Sequence, residues 1–175
     1  QCMFTALLLT PLGRTGAFLA FKGDVLLFAY ALGLARFVTV LAALDTGSSF
    51  EGMGASREVY FAALAEPALL LSFVALAHIT QTLSLSAMFS SIEPATWHAA
   101  GPALSLIAAA LFVVALVENA RIPIDDPATH LELTMIHEVM VLDHGGPDLA
   151  LIHYAAALKL WLLGVLLANI IVPVA

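Results

Sequence analysis

The stretch that decides the fold is VLLFAYALGLARFVTVLAAL, residues 25–44, in which Arg36 is the one charged residue among twenty. An α-helix of about 20 predominantly apolar residues is long enough to cross the hydrocarbon core of a bilayer. Lipid offers no hydrogen-bond partner to an open strand edge, so an apolar segment of this length is expected to be helical. We therefore predict a transmembrane helix here.

Three more apolar runs are long enough to span a membrane, at residues 59–79, 102–117 and 149–172. A shorter run, residues 3–9, is typical of the tail of a further helix. The predicted fold class is all-α, a polytopic transmembrane helix bundle with about four complete spans plus part of one more. We expect one transmembrane domain over residues 1–175, and both ends look like truncations of a longer protein.

Composition supports a membrane protein and excludes several other classes. The chain is 62% hydrophobic and 11% charged, with a mean hydropathy of +1.01, whereas soluble domains are roughly 45–50% apolar and about 25% charged. The net charge of −7 argues against nucleic-acid binding. Cys2 is the single cysteine, so this chain builds no internal disulfide and no thiolate metal site. Redox centres should then belong to partners, unless histidine or carboxylate ligands supply one.

Alternation of the spans places the connections 45–58 and 118–148 on one side, and 11–24 and 80–101 on the other. The positive-inside rule does not decide which side is cytoplasmic. Arg57 and Arg121 on the first side are balanced by Arg14 and Lys22 on the second.

The acidic loop, residues 118–148, carries most of the ionisable side chains outside the spans. Asp126 before Pro127 is a typical helix start, so we predict a short helix from Pro127 to about His144. His130, His137 and His144 are spaced seven residues apart. On a helix a step of seven residues returns to nearly the same face, so the three histidines would form a row of protonatable groups. The alternative is an amphipathic helix with a hydrated polar face. The side chains concerned are Glu118, Asp125, Asp126, Glu132, Glu138, Asp143, His130, His137 and His144.

A metal site is disfavoured in this loop. Three histidines about 10 Å apart along one rigid helix cannot meet at a single ion. The sequence His137-Glu138 begins an HExxH motif, but Val141 stands where the second histidine would be.

Charged residues within the spans are the other candidates for function. Glu66 lies inside the second span, where a carboxylate is costly and usually faces the bundle interior or a water-filled path. Arg36 needs an anionic partner, and Glu66 or Asp125 could provide it. Lys159 could reach an interior carboxylate or extend towards the nearer surface. The glycine-rich residues 52–58 lack the features of a phosphate loop and predict a turn before a helix with Ser56 as N-cap.

Three stretches resemble the family of hydrogenase-4 component C and formate hydrogenlyase subunit 4. They are ALDTGSSFEGMGASRE at 43–58, LAEPALLL at 64–71 and ENARIPIDDPATHLEL at 118–133. The last is shared more distantly with the subunit 1 membrane protein of respiratory complex I. The similarity covers essentially the whole chain, which would correspond to the middle of a protein with about eight spans.

The resemblance implies a membrane anchor and ion-coupling subunit of an energy-converting oxidoreductase in the cell inner membrane, with no catalytic centre of its own. It implies partners with hydrogenase-like large and small subunits, iron–sulfur proteins and antiporter-like membrane subunits, beside membrane lipid. A nickel–iron centre and iron–sulfur clusters are expected in those partners, and no cofactor is expected in this chain. Loops 45–58 and 118–148 would be cytoplasmic.

The resemblance also implies roles for individual residues. Glu66, Glu118, Asp125 and Glu132 match the family's carboxylates. With Asp126, Glu138, His130 and His137 they would form the proton path. Asp45, Arg57, Glu58, Arg121 and Asp143 would face the peripheral arm, and Arg36 and Lys159 would form ion pairs within the membrane.

Departures from the family pattern keep alternatives open. His130 stands where many relatives have a glutamate, and Asp143-His144-Gly145-Gly146 replaces the glutamate-tyrosine-serine-glycine of complex I. A quinone site is one of these alternatives, and the departures argue against it. A stand-alone ion-coupled secondary transporter is the competing function, although no internal repeat of the transporter kind is evident. An intramembrane metalloenzyme is a third reading.

Overall fold

The computed structural model describes residues 1–13, 15–122, 124–125 and 135–172. Its helices are α1 (Cys2–Leu9), α2 (Asp24–Asp45), α3 (Ser49–Thr80), α4 (Leu85–Ser90), α5 (Pro94–Glu118) and α6 (Gly146–Ile171), with a 3-10 turn at Val139–Val141 before α6. Within these described ranges the chain forms helices and turns, apart from an isolated bridge between Leu12 and Thr15. The predicted all-α class is confirmed.

Four helices, α2, α3, α5 and α6, are long and apolar enough to cross a membrane. Helices α2, α3 and α5 each contain one predicted span, α6 covers the fourth except for its last residue, Val172, and α1 contains the short run 3–9. Large apolar side chains cover their outer faces, for example Phe37 on α2, Leu71 on α3 and Leu106 on α5. Contact of such apolar faces with water would be unfavourable in free energy, whereas contact with lipid is not. This is therefore a multi-pass membrane protein.

The core of the bundle lies between α1, α2, α3, α5 and α6. Phe28 of α2 meets Phe73 of α3 edge to face with ring centroids 6.1 Å apart, a favourable aromatic geometry. The Trp97 indole Nε1 donates to the Ile170 carbonyl at 3.0 Å and ties α5 to the end of α6. Helix α5 departs from helical geometry at Ala100 (φ −127°, ψ 22°), two residues before Pro102, and a proline inside a helix commonly kinks it.

Contacts at the two ends of the bundle confirm the predicted pairing of the connections. At one end the Gly23 amide donates to the Leu83 carbonyl at 3.0 Å, which joins 11–24 to 80–101. At the other, the Arg57 guanidinium donates to the Met135 carbonyl at 2.9 Å, which joins 45–58 to 118–148. We call the first the closed end and the second the acidic end.

The predicted N-cap at Ser56 is wrong. Helix α3 already begins at Ser49, and the Ser56 hydroxyl donates within the helix to the Met53 carbonyl at 2.8 Å. Both glycines of this stretch lie within the helix rather than in a turn, and Gly54 serves packing. A Cβ at Gly54 would lie 3.0 Å from both the Ile136 carbonyl oxygen and Met140 Cγ. The helix therefore needs glycine there to let the acidic loop approach.

The predicted α-helix from Pro127 to about His144 is wrong over its described part. Residues 135–144 form turns and the short 3-10 element instead. The Asp125 carboxylate accepts hydrogen bonds from the backbone amides of Ile136 (3.0 Å) and His137 (3.2 Å), which folds the chain back towards it. His137 then faces His153 of α6, whereas His144 faces Glu51 of α3, so the two do not share one face.

Candidate functional site

A buried group of charges lies where α2, α3, α5 and α6 meet. Arg36 of α2 is 8% exposed, and its Nη1 is 2.8 Å from Glu66 Oε1. Its Nε is 3.2 Å from Glu58 Oε1, and its Nη2 contacts Glu118 Oε1. Lys159 Nζ of α6 lies 3.6 Å from Glu118 Oε2. We call Arg36, Glu58, Glu66, Glu118 and Lys159 the ion cluster.

The ion cluster is asymmetric in its exposure. The Glu118 side chain is 1% exposed, whereas the Glu66 side chain, on the far side of Arg36, is 50% exposed. Gly33, one turn before Arg36, leaves room for the Glu66 carboxylate, which lies 3.5 Å from where a Cβ would be. The arginine therefore bridges a fully buried carboxylate and one that reaches the edge of the bundle.

The cluster has more negative than positive groups. Three carboxylates face two cations, so the formal charge is −1 when every group is ionised. Buried charges are tolerated only when they are paired. Removing one partner of a buried pair typically costs about 3–5 kcal/mol, because the remaining charge loses its compensation. The four members other than the half-exposed Glu66 thus depend on one another.

Two cavities lie at the acidic end, and the inner one adjoins the ion cluster. The inner cavity, about 210 Å³, lies between α2, α3, α6 and the acidic loop and includes Arg36, Thr39, Glu58 and Lys159 in its lining. The outer cavity, about 510 Å³, includes Arg121, Asp125, Glu138 and His153 in its lining. The His137 side chain lines both.

His137 is neutral at ordinary pH. Burial lowers the pKa of His137 from 6.5 to about 4, and the positive charge of Lys159 adds to the effect. Its Nε2 is buried and has no hydrogen-bond partner among the described residues. The ring centroid of His153 lies 6.3 Å away.

The structure distributes the other predicted site residues between the interior and the surface. Asp45 is exposed at the end of α2, Asp143 is exposed beside α3, and Arg121 is exposed at the outer cavity. Arg57 is partly buried by its bond to Met135. Glu58, expected at the peripheral-arm interface, instead points inward to Arg36.

Of the two partners considered for Arg36, the structure brings Glu66 to it. Asp125 bonds backbone amides instead. Three further members of the predicted proton path, Asp126, His130 and Glu132, lie outside the described residues.

Sequence reasoning missed Glu51. Its side chain is fully buried in the first turn of α3. Oε1 accepts the Asp143 backbone amide at 2.9 Å, and Oε2 has no partner in the described ranges. His144 Nδ1 lies 3.9 Å from the same carboxylate. The only sequence signal was an acid among small residues, which a helix N-terminus would explain equally well.

The described residues contain no group of three His, Cys, Asp or Glu side chains placed to hold a metal ion. The described part of the site is a network of charged and hydrogen-bonding side chains.

The fold and the cluster together define a multi-pass membrane protein with a charged network inside its helix bundle. The chain belongs to the NADH dehydrogenase family, which it matches over residues 1–173. It is 32% identical over 163 residues to hydrogenase-4 component C of Escherichia coli (strain K12), covering 93% of this chain and 50% of that protein.

A second relative is formate hydrogenlyase subunit 4 of the same organism. The identity is 27% over 157 residues, covering 90% of this chain and 50% of that protein. The resemblance inferred from the sequence is confirmed. The chain spans about half the length of these two relatives.

Proposed function

We propose that this chain is a membrane anchor and ion-coupling subunit of an energy-converting oxidoreductase complex. Family membership and the names of the two relatives, each one part of a larger enzyme, support the assembly. The single observation that carries the coupling role is the ion cluster, which joins four helices through charges inside the bundle.

The charge balance of the cluster favours a role in proton transfer. With a formal charge of −1, the cluster would become neutral on binding one proton. Ionisable residues inside membrane proteins commonly mark proton paths. We infer that one proton is taken up and released here during each coupling event, and that the change in pairing at Arg36 shifts the helices that carry its partners.

The acidic end would face the cytoplasm and the redox partners. Asp45, Arg57, Arg121 and Asp143 would contact a peripheral arm of hydrogenase-like large and small subunits and iron–sulfur proteins. Antiporter-like subunits would pack against the apolar outer faces in the cell inner membrane. Asp125, Asp126, His130, Glu132 and Glu138 would connect that arm to the cluster.

Redox cofactors would reside in those partners. The nickel–iron centre and the iron–sulfur clusters need thiolate ligands, and this chain has one cysteine, Cys2. Hydrogen and electron chemistry would therefore take place outside this chain, which would respond to it through charge and contact.

The amide variant Glu66→Gln tests the coupling role. In native membrane vesicles that contain the full-length protein, we expect protons moved per electron transferred to fall at least several-fold, because the amide cannot take up a proton. The amount of assembled complex should stay close to normal, since Glu66 is half exposed. Glu118→Gln should lose coupling as well, with weaker assembly.

Glu93→Gln is the matched control. Glu93 is exposed at the closed end, so the same loss of charge should leave coupling unchanged. Normal proton translocation in both cluster variants would refute the coupling role.

A pull-down of the full-length native protein in mild detergent, followed by mass spectrometry, tests the assembly. We expect hydrogenase-type subunits, iron–sulfur proteins and antiporter-like membrane subunits. Recovery of the protein alone as a monodisperse species would refute the role in a complex and favour a stand-alone secondary transporter.

A further inference from the structure

The two cavities at the acidic end meet at one side chain. His137 and Ala156 line both cavities, and His137 is the one of the two that can carry a proton. Among the residues that the structure describes, the other ionisable groups of the inner cavity (Arg36, Glu58 and Lys159) belong to the ion cluster. The outer cavity holds the acidic-loop groups Asp125 and Glu138. A proton moving between the two cavities along ionisable side chains would meet His137.

The inner cavity is suited to holding water. Polar groups of Arg36, Glu58, Lys159 and Thr39 line one part of it, and polar cavities of sufficient size hold ordered water. A volume of about 210 Å³ has room for several water molecules. The buried His137 Nε2, which lacks a partner among the described residues, is a natural acceptor or donor for such water.

We propose that His137 is the proton gate between the acidic loop and the ion cluster, passing protons through water in the inner cavity. This inference rests on the proposed coupling function and names the residue that regulates access to it. A proton added to the bare ring nitrogen, together with loss of the proton from the other nitrogen, leaves a neutral ring in its second tautomer. Return of the ring to its first tautomer resets the gate, and no net charge accumulates.

The surroundings of His137 favour passage over storage. Within the described ranges, the charged and titratable groups around it are Lys159 and His153 of α6, Arg121, Asp125 and Glu138 of the loop, and Arg36 and Glu58 across the inner cavity. Burial and three of these groups, Lys159, His153 and Arg121, disfavour a charged imidazole. A ring that stays neutral at rest can relay a proton without trapping it.

His137→Ala in the full-length protein, assembled in native membrane vesicles, tests the gate. We expect protons moved per unit time to fall on the order of 100-fold, the usual contribution of a positioned proton-transfer group. Added imidazole should restore a substantial part of that rate, because a small base can enter the space left by the ring. His137→Gln should assemble normally, fill the space and stay slow.

His144→Ala is the matched control. His144 is a histidine of the same loop that lies beside Glu51 and lines neither cavity. It should neither slow proton movement on this scale nor respond to imidazole.

Three outcomes would overturn the gate. They are normal proton movement in His137→Ala, a loss in that variant that imidazole does not relieve, and normal movement in His137→Gln. If His137→Ala fails to assemble, His137→Gln decides alone. Normal movement in a His137 variant beside lost coupling in Glu66→Gln would refute the gate and leave the coupling function standing. Normal movement in both would refute both.

Discussion

The two ends of the bundle treat buried carboxylates in opposite ways. At the closed end, fully buried Asp24 has both oxygens satisfied: the Leu85 amide at 2.7 Å, the Ser84 hydroxyl at 2.8 Å and the Phe21 amide at 3.3 Å. At the acidic end, equally buried Glu51 has one satisfied oxygen and one without a partner among the described residues.

The same contrast extends to other buried polar groups of the acidic end. Asp125 Oδ1, His137 Nε2 and His144 Nδ1 are also buried without partners in the described part of the chain. Buried polar groups normally find partners, and exceptions call for an explanation such as water, an ion or a functional role. The buried carboxylate of the closed end therefore serves to hold the chain together. The acidic end still has buried polar atoms that could bind protons, water or another protein chain.

The largest expected effect comes from breaking the charge balance on which the acidic end depends. Arg36→Leu leaves Glu58, Glu66 and Glu118 without their shared cation, which should cost about 3–5 kcal/mol. We expect a severe loss of folded protein, measured by thermal unfolding in detergent. Arg36→Lys should lose less folded protein, because lysine keeps the positive charge and lacks only the planar guanidinium with its several donors. Equal stability of Arg36→Leu and wild type would show that the cluster is not held by pairing.

Asp24→Ala tests the closed end directly. Removing the acceptor of three hydrogen bonds should cost about 2–4 kcal/mol, since buried donors are left unsatisfied. Coupling per assembled molecule should be unchanged, as read from protons moved per electron. Glu51→Ala should lower the thermal stability less than Asp24→Ala, because Glu51 accepts one hydrogen bond and Asp24 accepts three. A larger thermal shift for Glu51→Ala than for Asp24→Ala would reverse the comparison.

Two neighbouring glycines offer a test of how the acidic loop is seated. Gly54→Ala should destabilise by about 1–3 kcal/mol, because its Cβ presses on the Ile136 carbonyl and Met140. Gly52→Ala meets nothing within 4 Å and should stabilise helix α3 by about 0.5–1 kcal/mol. Thermal unfolding of the two variants should therefore shift in opposite directions. Shifts in the same direction would contradict the close approach at Gly54.

His137 should also give the stability of the protein a pH dependence. The pKa of His137 is about 4 in the folded protein and 6.5 when unperturbed. Between these values the unfolded chain binds a proton at His137 that the folded chain does not, so the contribution of this residue to stability should fall as pH drops from 6.5 to 4 and level off below. His137→Gln should flatten this slope in unfolding curves recorded from pH 4 to 7, whereas an unchanged slope would contradict the buried neutral ring.

The spans and their connections could be predicted from the sequence, because lipid imposes a length and a polarity on each segment. The Arg36–Glu66 contact was also within reach, since a cation and a carboxylate inside adjacent spans need each other. Family resemblance supplied the importance of Glu118, although it did not supply its partner.

The remaining contacts depend on helix rotation and on approach distances, which local patterns do not encode. Glu58 was expected at a surface and lies against Arg36 because α3 starts earlier than its small residues suggested. The turn at Val139–Val141 forms because Asp125 and Gly54, distant in sequence from each other, both act on it. The local helix signals around Pro127 could not reveal the hydrogen bonds of Asp125 or the close approach of Gly54.

Helix α3 is 32 residues long, about 48 Å at 1.5 Å per residue, whereas the hydrocarbon core is about 30 Å thick. Tilts of membrane helices stay below about 40°, so α3 covers at least about 37 Å along the membrane normal and extends beyond the hydrocarbon core into the headgroup region. Glu51 lies near the N-terminal end of α3, where its carboxylate accepts the Asp143 amide of the acidic loop, and Pro67 follows Glu66 further along the helix. A proline inside a helix is a usual site of bending. Glu58 and Glu66 both precede Pro67, so a displacement of the loop that bends α3 there would carry both carboxylates past Arg36 together.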